Sequence, residues 1–182
     1  MIKMSQIPFD DIEQKANEVL NCLRQEKQFK YPVPVKPIAK IIKNKAGMDL
    51  IRFCHLHDHH SGKIEFFQNN KAVDIYINPS ESIVRQRFTL FHELGHCLLH
   101  KGNNGVLHRT FQYSTQRHEL EANHFAACIL MPKEDFIEQY KVLNGNLTVL
   151  ARLFNVSRPA VAFRADYLFE GNDSEIGLLE NE

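Results

Sequence analysis

FHELGHCLLH, residues Phe91 to His100, sets two histidines four positions apart with a glutamate directly after the first. On an α-helix a four-residue step advances about 6 Å and returns to the same face, so His92 and His96 offer imidazoles from adjacent turns to one ion. Glu93 follows His92 round the helix, where its carboxylate reaches a water beside the ion instead of the ion itself. This is the HExxH arrangement of two ligands and a general base. Phe88, Leu90, Phe91, Leu94, Leu98 and Leu99 supply an apolar helix body, and Gly95 admits a close neighbour beside the ligands. The competing reading, two histidines on the polar side of an amphipathic helix, does not account for that setting.

A catalytic zinc takes three protein ligands and keeps one position for water. His100 repeats the four-residue step but lies about 12 Å from His92 along the axis, too far to share its ion. An HExxHxxGxxH site would need Gly at position 99 and His at 102; this chain has Leu99 and Gly102, so that class is excluded. The segment HELEANHFAACILMP offers Glu119 as the third ligand, sharing a helix face with Asn123, which would hydrogen-bond a ligand imidazole. Glu121 points away from that face and reads as a solvated surface carboxylate. His118 and His124 stay open as alternative ligands. His108, Tyr113, His118 and His124 are candidates for the donor that steadies a tetrahedral oxyanion.

RQRFTLFHELGHCLLH (Arg85 to His100) and ELEANHFAACILMP (Glu119 to Pro132), in this order, resemble the ImmA/IrrE family of zinc metallo-endopeptidases. The resemblance implies metal ligands at His92, His96 and Glu119 and a catalytic base at Glu93. It implies an α+β, zincin-like fold: helices around a small, mainly antiparallel sheet with the active-site helix beside it. It also implies a protein substrate, a helix-turn-helix repressor of a mobile element or stress regulon; some members instead accompany toxin–antitoxin modules. Zinc is the default ion for two histidines and a glutamate, with Mn2+ or Fe2+ also accepted by such ligands.

Outward from this centre, Asp10 and Asp11 open a helix whose Ile12, Ala16, Val19, Leu20 and Leu23 form one apolar stripe. YPVPVKP is extended, and Pro37 starts a second helix with Ile38, Ile41 and Ile42 inward. Strands are expected over Met48 to Cys54, Lys63 to Gln68 and Ala72 to Asn78, the last two joined by a turn at Asn69 and Asn70. The intervening HLHDHH, His55 to His60, reads as a solvated loop. VDIYIN, Val73 to Asn78, precedes the metal helix, and the zincin comparison would have it hold substrate backbone by strand addition. A helix capped near Ser82 runs to His100, and Lys101 to Ser114 is an excursion. Helices follow from Gln116 to Met131 and from Pro132. LTVLARLFNVSRPAVAFRADYL reads as a helix-turn-helix-like pair with Leu150, Ala151, Phe154, Val156 and Val161 inward, and Arg158, Arg164 and Asp166 exposed on its second helix. Domains are expected as 1–142 (zincin-like peptidase), 143–170 (the helical pair) and 171–182 (an acidic tail).

The 22 Lys+Arg balance 22 Asp+Glu among 182 residues, so no bulk charge draws the chain to nucleic acid or an acidic membrane. Two arginines offset by an aspartate are a thin footprint for DNA, and direct DNA binding is not expected. No apolar run approaches the ~20 residues of a membrane span. Cys22, Cys54, Cys97 and Cys128 lie far apart without a CxxC pair, as suits reduced thiols in a cytoplasm. The alternative function is a DNA-binding or regulatory module whose metal is structural. Against it, structural zinc sites are closed by four ligands, often cysteines, and Cys97 is turned about 100° from the face of His96. The substrate's identity and the oligomeric state are not encoded in these patterns.

Overall fold

A computed structural model describes residues 9–56, 60–67, 71–100 and 116–169. In chain order they form helices α1 (Asp10–Gln25) and α2 (Val35–Lys45), then strands β1 (Leu50–His55), β2 (Gly62–Phe67) and β3 (Ala72–Ile77). Five helices follow: α3 (Ile83–Leu99), α4 (Gln116–Leu130), α5 (Lys133–Val142), α6 (Leu147–Phe154) and α7 (Arg158–Phe169). The Asn69–Asn70 turn, residues 57–59 of the histidine-rich stretch, the 101–115 excursion with His108 and Tyr113, and the 171–182 tail lie outside the described residues.

Local chemistry accounts for the helix ends. The Ser82 side chain accepts the Arg85 amide at the start of α3, and Asn146 accepts the Thr148 and Val149 amides at the start of α6; both fill donors that a helix start leaves open. Asn155 closes α6 in the left-handed conformation that Asn tolerates. The α1 stripe is buried as its period requires. α2 begins at Val35, two residues before Pro37, because the extended Pro34 already serves as its N-cap.

The sheet runs in the order β1-β3-β2 and is mixed, not mainly antiparallel: β1 pairs with β3 in parallel, β2 with β3 antiparallel. Successive strands reverse direction, so the first and third run alike, and placing the third between the first two makes that parallel pair neighbours. β3 is accordingly buried along nearly its whole length. Its one carboxylate, Asp74, lies on the face opposite the core-facing Val73, Ile75 and Ile77 and is covered by Arg52 beside it on β1, at 2.6 Å through both oxygens. Both of its edges are occupied, so the strand addition expected of residues 73–78 cannot occur there; the edge strand beside α3 is β2.

α3 and α4 lie across each other and supply most of the core around the metal motif. A Cβ on Gly95 would sit 3.0 Å from Phe125 Cδ1 and 3.4 Å from the Ala122 carbonyl, so the glycine sets how closely the two helices approach. At the far side of α4, α1 and α7 meet over a buried ionic cluster. Arg164 is 1% exposed, which overturns its reading as an exposed residue of the last helix. It lies three residues after Val161 and four before Leu168, on the inward stripe of α7. There it donates to Glu13 Oε1 and Oε2 at 2.7 and 2.9 Å and to the Met131 carbonyl at 3.1 Å. None of the four cysteines is in a disulfide. No helix among the described residues is long and apolar enough to cross a membrane.

Candidate active site

His92 and His96 project from one face of α3, with their Nε2 atoms 3.0 Å apart. Glu119, in the first turn of α4, brings Oε2 to 3.2 Å from His92 Nε2 and Oε1 to 3.5 Å from His96 Nε2. A tetrahedral zinc with ligand bonds near 2.0–2.1 Å holds its ligand atoms about 3.3 Å apart, so these three separations fit such an ion. Two ring nitrogens and a carboxylate oxygen facing one point repel through their lone pairs, and a divalent cation there removes the repulsion. The donor set is that of a zinc-type centre and also accepts manganese or iron.

Asn123, one turn beyond Glu119, places Oδ1 2.9 Å from His92 Nδ1. His92 therefore donates from Nδ1 and presents the lone pair of Nε2 to the site. The sequence-predicted set of His92, His96, Glu119 and Asn123 is thus brought together. Of the alternative ligands, neither joins it. His124 is buried on the opposite face of α4, stacked 4.2 Å from Phe9 and 3.6 Å from Glu13 Oε2. His118 leans on His100, ring centroids 4.4 Å apart. His124 is removed from the list of oxyanion donors on the same ground.

Glu93 is 7% exposed at the wall of a cleft of about 710 Å³ that also takes in His92, His96, Glu119 and Asn123. Burial pushes its carboxyl up to about 7; the Glu119 charge adds to this and His92 opposes it. A cation held by the neighbouring ligands would favour the ionised, proton-accepting form. Burial pushes His96 down to about 4, with hydrogen bonding to Glu119 opposing, so its ring is neutral near pH 7 and able to ligate. His92 is shifted upward: burial lowers it, but Glu119, the Glu93 charge and Asn123 together prevail.

The cleft has contributors that sequence reasoning missed. Gly62, Lys63 and Ile64 of β2 form one wall, with Arg85 and Phe88 of α3 nearby. A Cβ on Gly62 would fall 2.2 Å from Thr89 Cγ2 and 3.2 Å from Glu93 Oε1, so β2 begins hard against the Thr89–Glu93 turn of α3. Nothing in the local pattern around Gly62 announces this, because its neighbour is 27 residues away. Glu121 is also corrected: its side chain is only 16% exposed and sits 2.9 Å from His100 Nε2 and 2.7 Å from Arg117 Nε. The turn of α4 that aims it away from Asn123 aims it at the end of α3 instead.

A family model described as the IrrE N-terminal-like domain of the M78 peptidases matches residues 49–166, the stretch from β1 into α7. The chain is 32% identical over 114 residues to immunity region protein 2 of Bacillus phage phi105, covering 57% of this chain and 70% of that protein. A solved Mycobacterium tuberculosis transcriptional regulator superposes with a TM-score of 0.59 over 86% of this chain at 16% identity, a likeness of fold. The chain spans 46% of that regulator's length. With the family match running through both helices that carry the candidate ligands, the chain belongs to the M78 peptidase family and carries its IrrE N-terminal-like domain.

Proposed function

We propose that this protein is a metal-dependent endopeptidase, a zinc enzyme by default, that cuts a peptide bond in a specific protein in the cytoplasm. His92, His96 and Glu119 hold the ion, Asn123 orients His92, and Glu93 is the general base. The observation that carries this reading is the meeting of three ligand atoms from two helices beside a buried carboxylate in one open cleft. Glu119 is 43% exposed, so the ligand sphere opens on the side from which water and a peptide enter.

The ion, when bound, supplies Lewis acidity to a water and to the scissile carbonyl. Glu93 takes the proton of the attacking water and delivers it to the leaving amine; its elevated, burial-controlled affinity for protons suits both halves of that shuttle. The outer edge of β2, unpaired among the described residues, would pair with the substrate's extended backbone; that Gly62, Lys63 and Ile64 line the cleft supports this.

The substrate we assign is a helix-turn-helix repressor of a mobile element or stress regulon. The name of the phage relative, an immunity region protein, supports a target of that kind. In this reading residues 1–142 are a zincin-like catalytic unit and 143–170 a helix-turn-helix-like pair that packs on it and does not bind DNA, with 171–182 an acidic tail. The burial of Arg164 supports the packing role. Glu93→Gln tests the mechanism: it keeps fold and metal and abolishes cleavage of the cognate repressor. Full proteolysis by that variant refutes it.

A further inference from the structure

We infer that His100 and Glu121 are positioning residues that hold His96 in the one tautomer able to bind the ion. The inference rests on the metal-centre reading above. His96 and His100 are one helical turn apart on α3, and their Nδ1 atoms face each other at 2.9 Å. The other ring nitrogen of His100, Nε2, is 2.9 Å from Glu121 Oε2 on α4. The second Glu121 oxygen accepts from Arg117 Nε at 2.7 Å.

A neutral imidazole carries one N–H, and a carboxylate only accepts. Glu121 therefore requires the proton of His100 on Nε2. His100 Nδ1 is then an acceptor, so His96 must carry its own proton on Nδ1. That leaves the lone pair of His96 Nε2 directed at His92 Nε2 and Glu119. The competing arrangement puts the His96 proton on Nε2, where it would donate towards Glu119 Oε1, 3.5 Å away, and bar the ion. Two chains thus converge. Asn123 sets His92, and Glu121 sets His96 through His100.

His100, His118 and Glu121 also form a trio with ligand atoms close enough to hold a cation of their own. A cation on His100 Nε2 would move that ring's proton to Nδ1, against the Nδ1–H of His96, and so would compete with the first ion. The tautomer chain and a second ion are exclusive, and the bond from His100 to Glu121 favours the chain.

The test uses the full chain in a His57→Ala, His59→Ala background, which halves the histidines of the His55–His60 stretch and so weakens it as a competing zinc binder. Long-range proton–nitrogen spectra of the metal-free protein read each ring's tautomer, and competition with a chelator reads zinc affinity. Expected are His96 protonated on Nδ1 and His100 on Nε2. In Glu121→Ala, His96 shifts towards the Nε2–H form and affinity falls about 10–100-fold, as for other partners of ligand histidines, with one zinc still bound at saturation. Glu121→Gln, whose carbonyl still accepts from His100, recovers most of the loss, and Arg117→Ala changes neither readout. An unchanged His96 tautomer in Glu121→Ala, a loss of equal size in Arg117→Ala, or a second zinc that disappears with Glu121→Ala each overturns the inference. Failure of the metal centre itself shows separately, as wild-type zinc affinity in Glu119→Ala.

Discussion

Replacing Arg164 with Met should unhinge α7 from α1. The guanidinium is 1% exposed and makes two charge-assisted bonds to Glu13, at 2.7 and 2.9 Å, and a third to the Met131 carbonyl at 3.1 Å. Met fills a similar volume but leaves the Glu13 carboxylate, 12% exposed, without its cation in a site shared with Cys128 and the His124 ring. Breaking one partner out of a buried pair costs about 3–5 kcal/mol. For a chain of this size each kcal/mol moves the midpoint by about 2–4 °C, so the melting temperature should fall by about 6–20 °C. Urea titration followed by circular dichroism gives the free energy directly. Glu13→Gln/Arg164→Met should regain part of the loss, since the double change removes the stranded charge as well. A single-variant loss under about 1 kcal/mol, or strict additivity in the double, would show that this pair does not join α1 to α7.

The same cluster should make the fold acid-sensitive. The Arg164 hydrogen bonds and charge, with the His124 ring nearby, overcome the effect of burial and hold Glu13 well below the usual carboxylate range. A depressed carboxylate stabilises the fold fully above its unfolded value, about 4.3, and progressively less as pH falls below it. The stability gap between wild type and Glu13→Gln should therefore be constant from pH 7 to 5 and narrow towards pH 3; a gap independent of pH contradicts this. Gly95→Val should cost about 1–3 kcal/mol by overpacking against Phe125 and should weaken zinc binding by prising α4 from α3. Unchanged thermal and zinc titrations would count against that helix contact. Asn123→Ala should weaken zinc about 10–100-fold while leaving urea stability within about 1 kcal/mol, a split that calorimetry and denaturation together can check.

Much of this molecule is legible in one dimension because its signals are local. The α1 stripe, the Ser82 and Asn146 caps and the HExxH spacing are each set within one or two helical turns, where backbone geometry dictates which side chains share a face. That Glu119 and Asn123 share a face was legible for the same reason: four residues apart, they had to point together. Glu121 and Arg164 were not. Helical phase placed Glu121 away from Asn123 correctly, but phase does not say that the end of α3 waits on that side. The charge of Arg164 suggested solvent, although its position between Val161 and Leu168 already put it on the inward stripe.

By itself, then, the sequence determined the helices and which side chains share a face, His92 with His96 and Glu119 with Asn123, since both follow from residue spacing along a rigid repeat. Only the tertiary structure decided that β3 is central and β2 forms the cleft wall, that Gly62 abuts Glu93, and that His100 and Glu121 stand behind His96. The deciding contacts, β1 with β3, Gly62 with Thr89 and His100 with Glu121, join residues more than 20 positions apart, where packing of whole surfaces, not local periodicity, selects the partner.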